Sequence, residues 1–123
     1  MPGLLMSHKP NKINDFLPMS PLDFQVLLLL QAEPCHGYGI VQAGDRLFPS
    51  EPPLEIGSLY RIVGRMLDSG LIGEVNPPPE SPNDARRRRF YQATEIGVAV
   101  ARAEATRMHA LLDSPQAAEL LHG

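Results

Sequence analysis

The chain has 123 residues, 43% of them hydrophobic, and carries a formal net charge of −3 at pH 7. That length supports one domain with a modest core, of the kind that often gains stability by pairing, and the negative balance excludes a generally polycationic protein. The single cysteine excludes an internal disulfide and leaves too few thiolates for a Cys-rich zinc site, which fits a reducing cytoplasm.

Residues 1 to 19 mix Pro2, Gly3, Pro10, Asn14 and Pro18 with scattered apolar residues and show no sustained period, so they read as a flexible arm that packs in part on a partner subunit. They also lack the basic start, apolar middle and cleavage site of a secretory signal. Ser20 before Pro21 is an N-cap with proline at the first helical position, and starts a helix to about Glu33. Its Val26 to Leu30 run is far too short to span a bilayer. That run makes the helix apolar on more than one face, which calls for two packing surfaces, the second being another subunit.

Pro34 ends this helix. The next opens near His36, with Ile40, Val41, Gly44, Leu47 and Phe48 on one face, and stops at Pro49. Over 56 to 69, Leu59, Ile62, Val63, Met66 and Leu67 fall at i, i+3, i+4, i+7 and i+8 and predict a third amphipathic helix, with Ser58, Arg61, Gly64, Arg65 and Asp68 facing outward. Gly70 stands where a helix end favours a left-handed residue. Leu71 to Val75 then starts a strand, a Pro-rich loop covers Asn76 to Asn83, and Arg86 to Gln92 returns as the second strand of a hairpin. Thr94 caps a last helix that runs to about Ser114, rich in small residues that permit close approach of a second helix.

Six of the eleven Lys and Arg residues lie between positions 61 and 89, so positive charge is concentrated where the third helix and the hairpin meet. Arg86, Arg87, Arg88 and Arg89 form an uninterrupted cationic run that can reach phosphates. If they lie on a strand they alternate, with Arg87 and Arg89 pointing opposite to Arg86 and Arg88. On the third helix, Arg61 and Arg65 suit contacts to guanine or phosphate and Ser58 suits a hydrogen bond to either, while Tyr60 is equally a DNA contact or a boundary aromatic packed on the hairpin. Adjacent Cys35 and His36 point about 100° apart on a helix and have no third orienting group, so they do not suggest catalysis. His8, His109 and His122 have no ligand spacing, and neither a metal nor another cofactor is expected. Met19, Phe24 and Met108 are placed to line a cavity between the first and last helices.

Four pieces of the chain, in order, resemble the PadR family of bacterial transcriptional regulators. They are Cys35-His36-Gly37-Tyr38-Gly39-Ile40, Gly57-Ser58-Leu59-Tyr60, Gly70-Leu71-Ile72, and the arginine run with Phe90-Tyr91 followed by Thr94-Glu95-Ile96-Gly97. The short helix after the hairpin is similar to the compact subfamily with a single C-terminal helix. Glu55-Ile56 and Asn83-Asp84-Ala85 depart from the family's usual residues before the third helix and in the wing. The resemblance implies a mainly α winged helix-turn-helix with a small β-hairpin, and a ligand-responsive repressor whose Tyr60 meets DNA and whose effector is a phenolic or other small hydrophobic molecule. Without tryptophan, an indole sandwich for flat ligands is not carried over.

The expected organisation is an N-terminal arm over 1–19, a DNA-binding domain over 20–93 and a C-terminal dimerisation helix and tail over 94–123. The expected function is a homodimeric, non-enzymatic regulator in the cytoplasm. It reads a pseudo-palindromic operator in double-stranded DNA with helix 56 to 69 in the major groove and the wing on the flanking backbone. The rival reading is a winged helix that docks proteins and never touches nucleic acid.

Overall fold

A computed structural model describes residues 12–123. The part of the expected arm before Lys12 lies outside the described residues. From Lys12 onward the arm expectation is corrected: Ile13–Phe16 forms a short 3-10 turn, and Phe16, Leu17 and Met19 pack against the hydrophobic core. Their apolar side chains were scattered in sequence but converge on one surface of the chain itself.

Helix α1 spans Pro21–Ala32, and the Ser20 hydroxyl accepts a hydrogen bond from the Asp23 amide at its start. Val26, Leu27, Leu29 and Leu30 are all buried, packed between the second helix, the sheet and the long C-terminal helix. The two-faced apolar character of α1 is therefore satisfied within one chain, and its use as an argument for a second subunit fails. Burying each such leucine contributes roughly 1.5–3 kcal/mol, which makes α1 the central post of the fold.

Strand β1, Cys35–His36, was expected as the opening of a helix. It pairs antiparallel with β3, Phe90–Ala93, through Cys35 opposite Tyr91 and His36 opposite Phe90. Helix α2, Gly37–Leu47, follows directly, and His36 Nδ1 accepts the Gly39 amide at 3.0 Å as its N-cap. Helix α3, Ile56–Ser69, buries Leu59, Ile62, Val63 and Met66 as its spacing predicts, whereas Leu67 lies at the rim, 36% exposed. Gly70 adopts φ 81°, the left-handed end expected of it.

Strand β2, Ile72–Val75, pairs antiparallel with β3 from Ile72 opposite Ala93 to Val75 opposite Phe90, giving a three-stranded sheet in the order β1-β3-β2. The hairpin is thus shorter than expected, because Asp84 caps a 3-10 turn over Ala85–Arg87 and the return strand begins only at Phe90. Helix α4, Glu95–Leu112, is capped by Thr94 and packs along α1. Thr94 Oγ1 also donates to the Gly70 carbonyl at 2.6 Å and accepts from the Gly97 amide, joining the end of α3 to the start of α4. Where a tail was expected after Pro115, a further helix, α5, covers Pro115–His122 behind a Ser114 N-cap.

Candidate nucleic-acid interface

The outward side of α3 has two flanks. On the flank facing α1, Arg61 donates to the Ser58 hydroxyl at 3.0 Å, and Arg65 donates to the Asp23 carboxylate at 2.6 Å. The first bond fixes the rotamer of Arg61 on its own helix while leaving guanidinium donors free for a partner. The second ties Arg65 to the first turn of α1, so one of the two arginines expected to meet guanine or phosphate already has an anionic partner. The helix surface is low beside these residues: a methyl group added at Gly57 or Gly64 would meet nothing within 4 Å.

On the other flank Tyr60 is 54% exposed, and its ring lies across the start of α2. A Cβ at Gly37 would sit 2.9 Å from the Tyr60 hydroxyl, so glycine lets the ring lie this close and a side chain there would push its tip aside. The ring is neither in the core nor folded away.

All four wing arginines are exposed. They occupy the 3-10 turn and the bend before β3, which corrects the expectation that they lie on a strand and alternate across it. Arg88 sits over the ring of Tyr38, 5.4 Å from its centroid. Tyr91 is buried beneath Arg89, and burial pushes its phenol up while the guanidinium pulls it back. Among the described residues, none of Arg61, Arg86, Arg87, Arg88 and Arg89 is in an ion pair. Together they form a cationic surface spanning α3 and the wing, on a chain whose overall charge is negative.

Tyr38, Asp23 and Tyr91 are missed by sequence reasoning. The one available signal was for Tyr38, an aromatic residue off the apolar stripe of its helix. The pairing of Asp23 with Arg65 spans 42 positions and leaves no local trace.

His36 and Cys35 do not combine into a nucleophile and base. His36 Nδ1 is engaged by the Gly39 amide, and its imidazole lies edge-on to Phe90 with centroids 5.2 Å apart. Burial lowers its pKa, with the Arg88 guanidinium adding to the effect and Asp84 opposing it. The Cys35 thiol is pushed up by burial and by Glu33, away from the reactive thiolate. Among the described residues no group of three or more His, Cys, Asp or Glu side chains could hold a metal, and no helix is long and apolar enough to cross a membrane.

Met19, Phe24 and Met108 come together as expected, lining a cavity of about 450 Å³ with Leu28 and Phe48. At its edge lies an ion pair that sequence reasoning passed over, where Arg107 donates to both carboxylate oxygens of buried Glu104, three positions before it on the same helix, at 2.8 Å. Those bonds hold the Glu104 carboxyl below its ordinary range against the opposing effect of burial, and the Met19 amide adds to them.

The fold is shared with solved regulators. A PadR-like transcriptional regulator from Bacillus cereus strain ATCC 14579 superposes with a TM-score of 0.65 at 20% identity, covering 83% of this chain and 92% of that one. A PadR family regulator from Clostridium difficile R20291 gives 0.63 at 20% identity, covering 85% and 100%. A third, from Eggerthella lenta DSM 2243, gives 0.59 at 24% identity, covering 98% and 95%. No curated protein sequence matches the chain. The model of the transcriptional regulator PadR-like family matches residues 26–103, from the core of α1 through the wing into α4. With that match covering well over half the chain, and the winged helix, exposed α3 face and wing arginines in their places, the protein belongs to the PadR-like family of transcriptional regulators.

Proposed function

We propose that the chain is a repressor that binds a pseudo-palindromic operator as a homodimer in the cytoplasm and releases it when a small hydrophobic or phenolic effector binds. The observation that carries this reading is the set of polar side chains along α3 and the wing, in which Tyr60, Arg61 and Arg86 to Arg89 are exposed, Ser58 is half-buried and bonded by Arg61, and among the described residues Arg65 alone of these arginines is engaged by a carboxylate. In it, α3 enters the major groove with its N-terminal half toward the base edges, and the wing arginines lie on the flanking backbone. The exposed leucines of the C-terminal helices, Leu111, Leu112, Leu120 and Leu121, support pairing through that end of the molecule. The apolar cavity of Met19, Phe24 and Met108 supports the effector site.

Selection of bound fragments from a random DNA pool, with sedimentation of the protein alone and on the selected site, tests the reading. An enriched inverted repeat bound by two chains is the expected result. Absence of any salt-dependent binding to duplex DNA would overturn it in favour of a protein-docking winged helix. Release of the selected duplex by a panel of phenolic acids tests the effector, and no release by any apolar or phenolic compound would sink that part.

A further inference from the structure

The start of α2, the exposed flank of α3 and the end of the wing loop enclose a cavity of about 380 Å³ lined by Gly37, Tyr38, Tyr60, Arg88, Arg89 and Tyr91. Its walls bring together side chains from three segments far apart in sequence, and the packing of the fold requires little of this. Tyr38 and Tyr60 leave 53% and 54% of their surface in solvent, and Arg88 and Arg89 have no carboxylate partner among the described residues. Large aromatic surface is normally withdrawn from water and exposed guanidinium groups normally rotate freely. Here the Tyr38 ring sits under the Arg88 guanidinium and limits that rotation by a cation–π contact. Stacking occupies the face of the guanidinium and leaves its N–H edge open, the edge that grips an oxyanion in two parallel bonds. The absence of a Cβ at Gly37 keeps the Tyr60 hydroxyl at the same opening.

We propose that Tyr38, Tyr60, Arg88 and Arg89 form a cradle for one phosphodiester of the DNA backbone, with Tyr38 as the positioning residue that presents Arg88 to it. The assignment rests on the DNA-binding reading above. The cavity has room for about a dozen waters, enough for a phosphate group with its flanking ester oxygens. The donors are guanidinium and phenol groups, which suit an acceptor-only anion. The neighbouring Arg86 and Arg87 make the surrounding field positive and so favour a polyanion over an isolated ion. Arg88 and Arg89 are thereby separated in role from Arg86 and Arg87: the first pair lies in a shaped site, the second on an open turn.

The test uses the full chain and a fluorescently labelled mixed-sequence duplex, with binding measured across a range of salt. Tyr38→Leu removes the ring and is expected to weaken binding about two- to fivefold, the size of an exposed cation–π contact, and to flatten the salt slope by about 0.9, one phosphate contact. Tyr38→Phe keeps the ring and is expected to keep the wild-type slope. Arg88→Ala should match Tyr38→Leu, and the double variant should add nothing further. In a parallel arm at constant ionic strength, millimolar inorganic phosphate is expected to leave duplex binding unchanged. If inorganic phosphate titrated without DNA saturates wild type but not Tyr38→Leu, and duplex affinity and salt slope stay unchanged at that saturating phosphate, the cradle is a site for free phosphate and the assignment to DNA falls. Wild-type affinity and slope in Tyr38→Leu, or equal loss in Tyr38→Phe, would overturn the cradle while leaving DNA binding intact. Failure of the wild-type protein to bind any duplex would overturn the underlying reading instead.

Discussion

Arg65 Nη2 lies 2.6 Å from Asp23 Oδ1, so the C-terminal half of α3 is tied to the first turn of α1 by a carboxylate on the same surface as the free arginines. Asp23 holds a cation away from any phosphate that reaches this face and adds a negative charge there. Asp23→Asn should therefore bind mixed-sequence duplex more tightly, with a salt slope steeper by about 0.9 per chain as Arg65 becomes available. The pair is largely exposed on the arginine side, so stability should change by no more than about 1 kcal/mol. Unchanged binding in a salt titration would mean that Arg65 stays away from the backbone.

Arg61, held by Ser58 on the N-terminal half of α3, is placed for base readout instead. Arg61→Ala should cost roughly 1–3 kcal/mol on a selected operator and blur preference at one base position, whereas Arg65→Ala, which uncovers the negative charge of Asp23, should weaken all sequences about equally. Competition against an operator varied base by base separates the two. An intact preference profile in Arg61→Ala would show that α3 enters the groove by its other end, or that Tyr60 and Ser58 do the reading.

Replacing Arg86, Arg87 and Arg88 together with alanine should flatten the salt slope by about 2 to 3 units per subunit, because contacts to phosphate release counterions whatever the sequence. All three are exposed, and no fold contact is lost that thermal unfolding would register strongly. A slope equal to wild type would place these side chains in solvent in the complex.

Gly64 sits inside α3 with open space where a side chain would begin. Gly64→Ala should stabilise the protein by about 0.5–1 kcal/mol, since a helical interior glycine loses more chain entropy on folding than alanine and no neighbour is in the way. If the low ground between Arg61 and Asp68 is where base edges approach, the same variant should weaken operator binding while leaving random duplex binding alone. Chemical denaturation and competition binding read the two effects separately. Loss of stability would contradict the open geometry.

His36 resists protonation because of burial and the nearby Arg88, and its Nδ1 must stay unprotonated to cap α2. Its folded pKa lies below the unfolded value of about 6.5, so its contribution is complete above that pH and is lost as pH falls through the lowered folded value. Glu104, also depressed, adds its loss at lower pH, as the solution falls past 4.5 toward its folded value. Unfolding measured between about pH 7 and pH 5 should show declining stability in wild type, and a smaller decline in His36→Asn, which can cap without titrating. An identical decline in both would assign the titration to another group.

Helices α1, α3 and α4 were legible because their signals are local: Ser20-Pro21, the stripe ending at Met66 with Gly70 behind it, and Thr94 at a cap. Helix α5 was equally legible, since Ser114-Pro115 repeats the Ser20-Pro21 signal, and was passed over as a tail. Strand β1 was not, because two residues become a strand only through a partner more than fifty positions away. The wing arginines were found as a charge cluster but misplaced on a strand, since the Asp84 cap that bends them into a turn competes with strand pairing. Tyr60 was left open between two roles, because the surface its ring lies against, at Gly37, belongs to a different helix.

An alanine methyl at Gly97 would lie 2.0 Å from the Leu71 carbonyl oxygen, a separation no pair of atoms tolerates. The start of α4 is thus seated directly on the root of the wing, and Thr94 fastens the same corner to Gly70. These contacts join α4 to the root of β2 as a handle is fixed to a blade. By contrast, the turns between Pro78 and Arg88 are closed by short-range bonds only, Ser81 to Pro78, Arg86 to Pro82 and Arg88 to Ala85. The blade's edge can be lengthened or trimmed without loosening its grip, and changes of reach across DNA can arise there while the mounting stays the same.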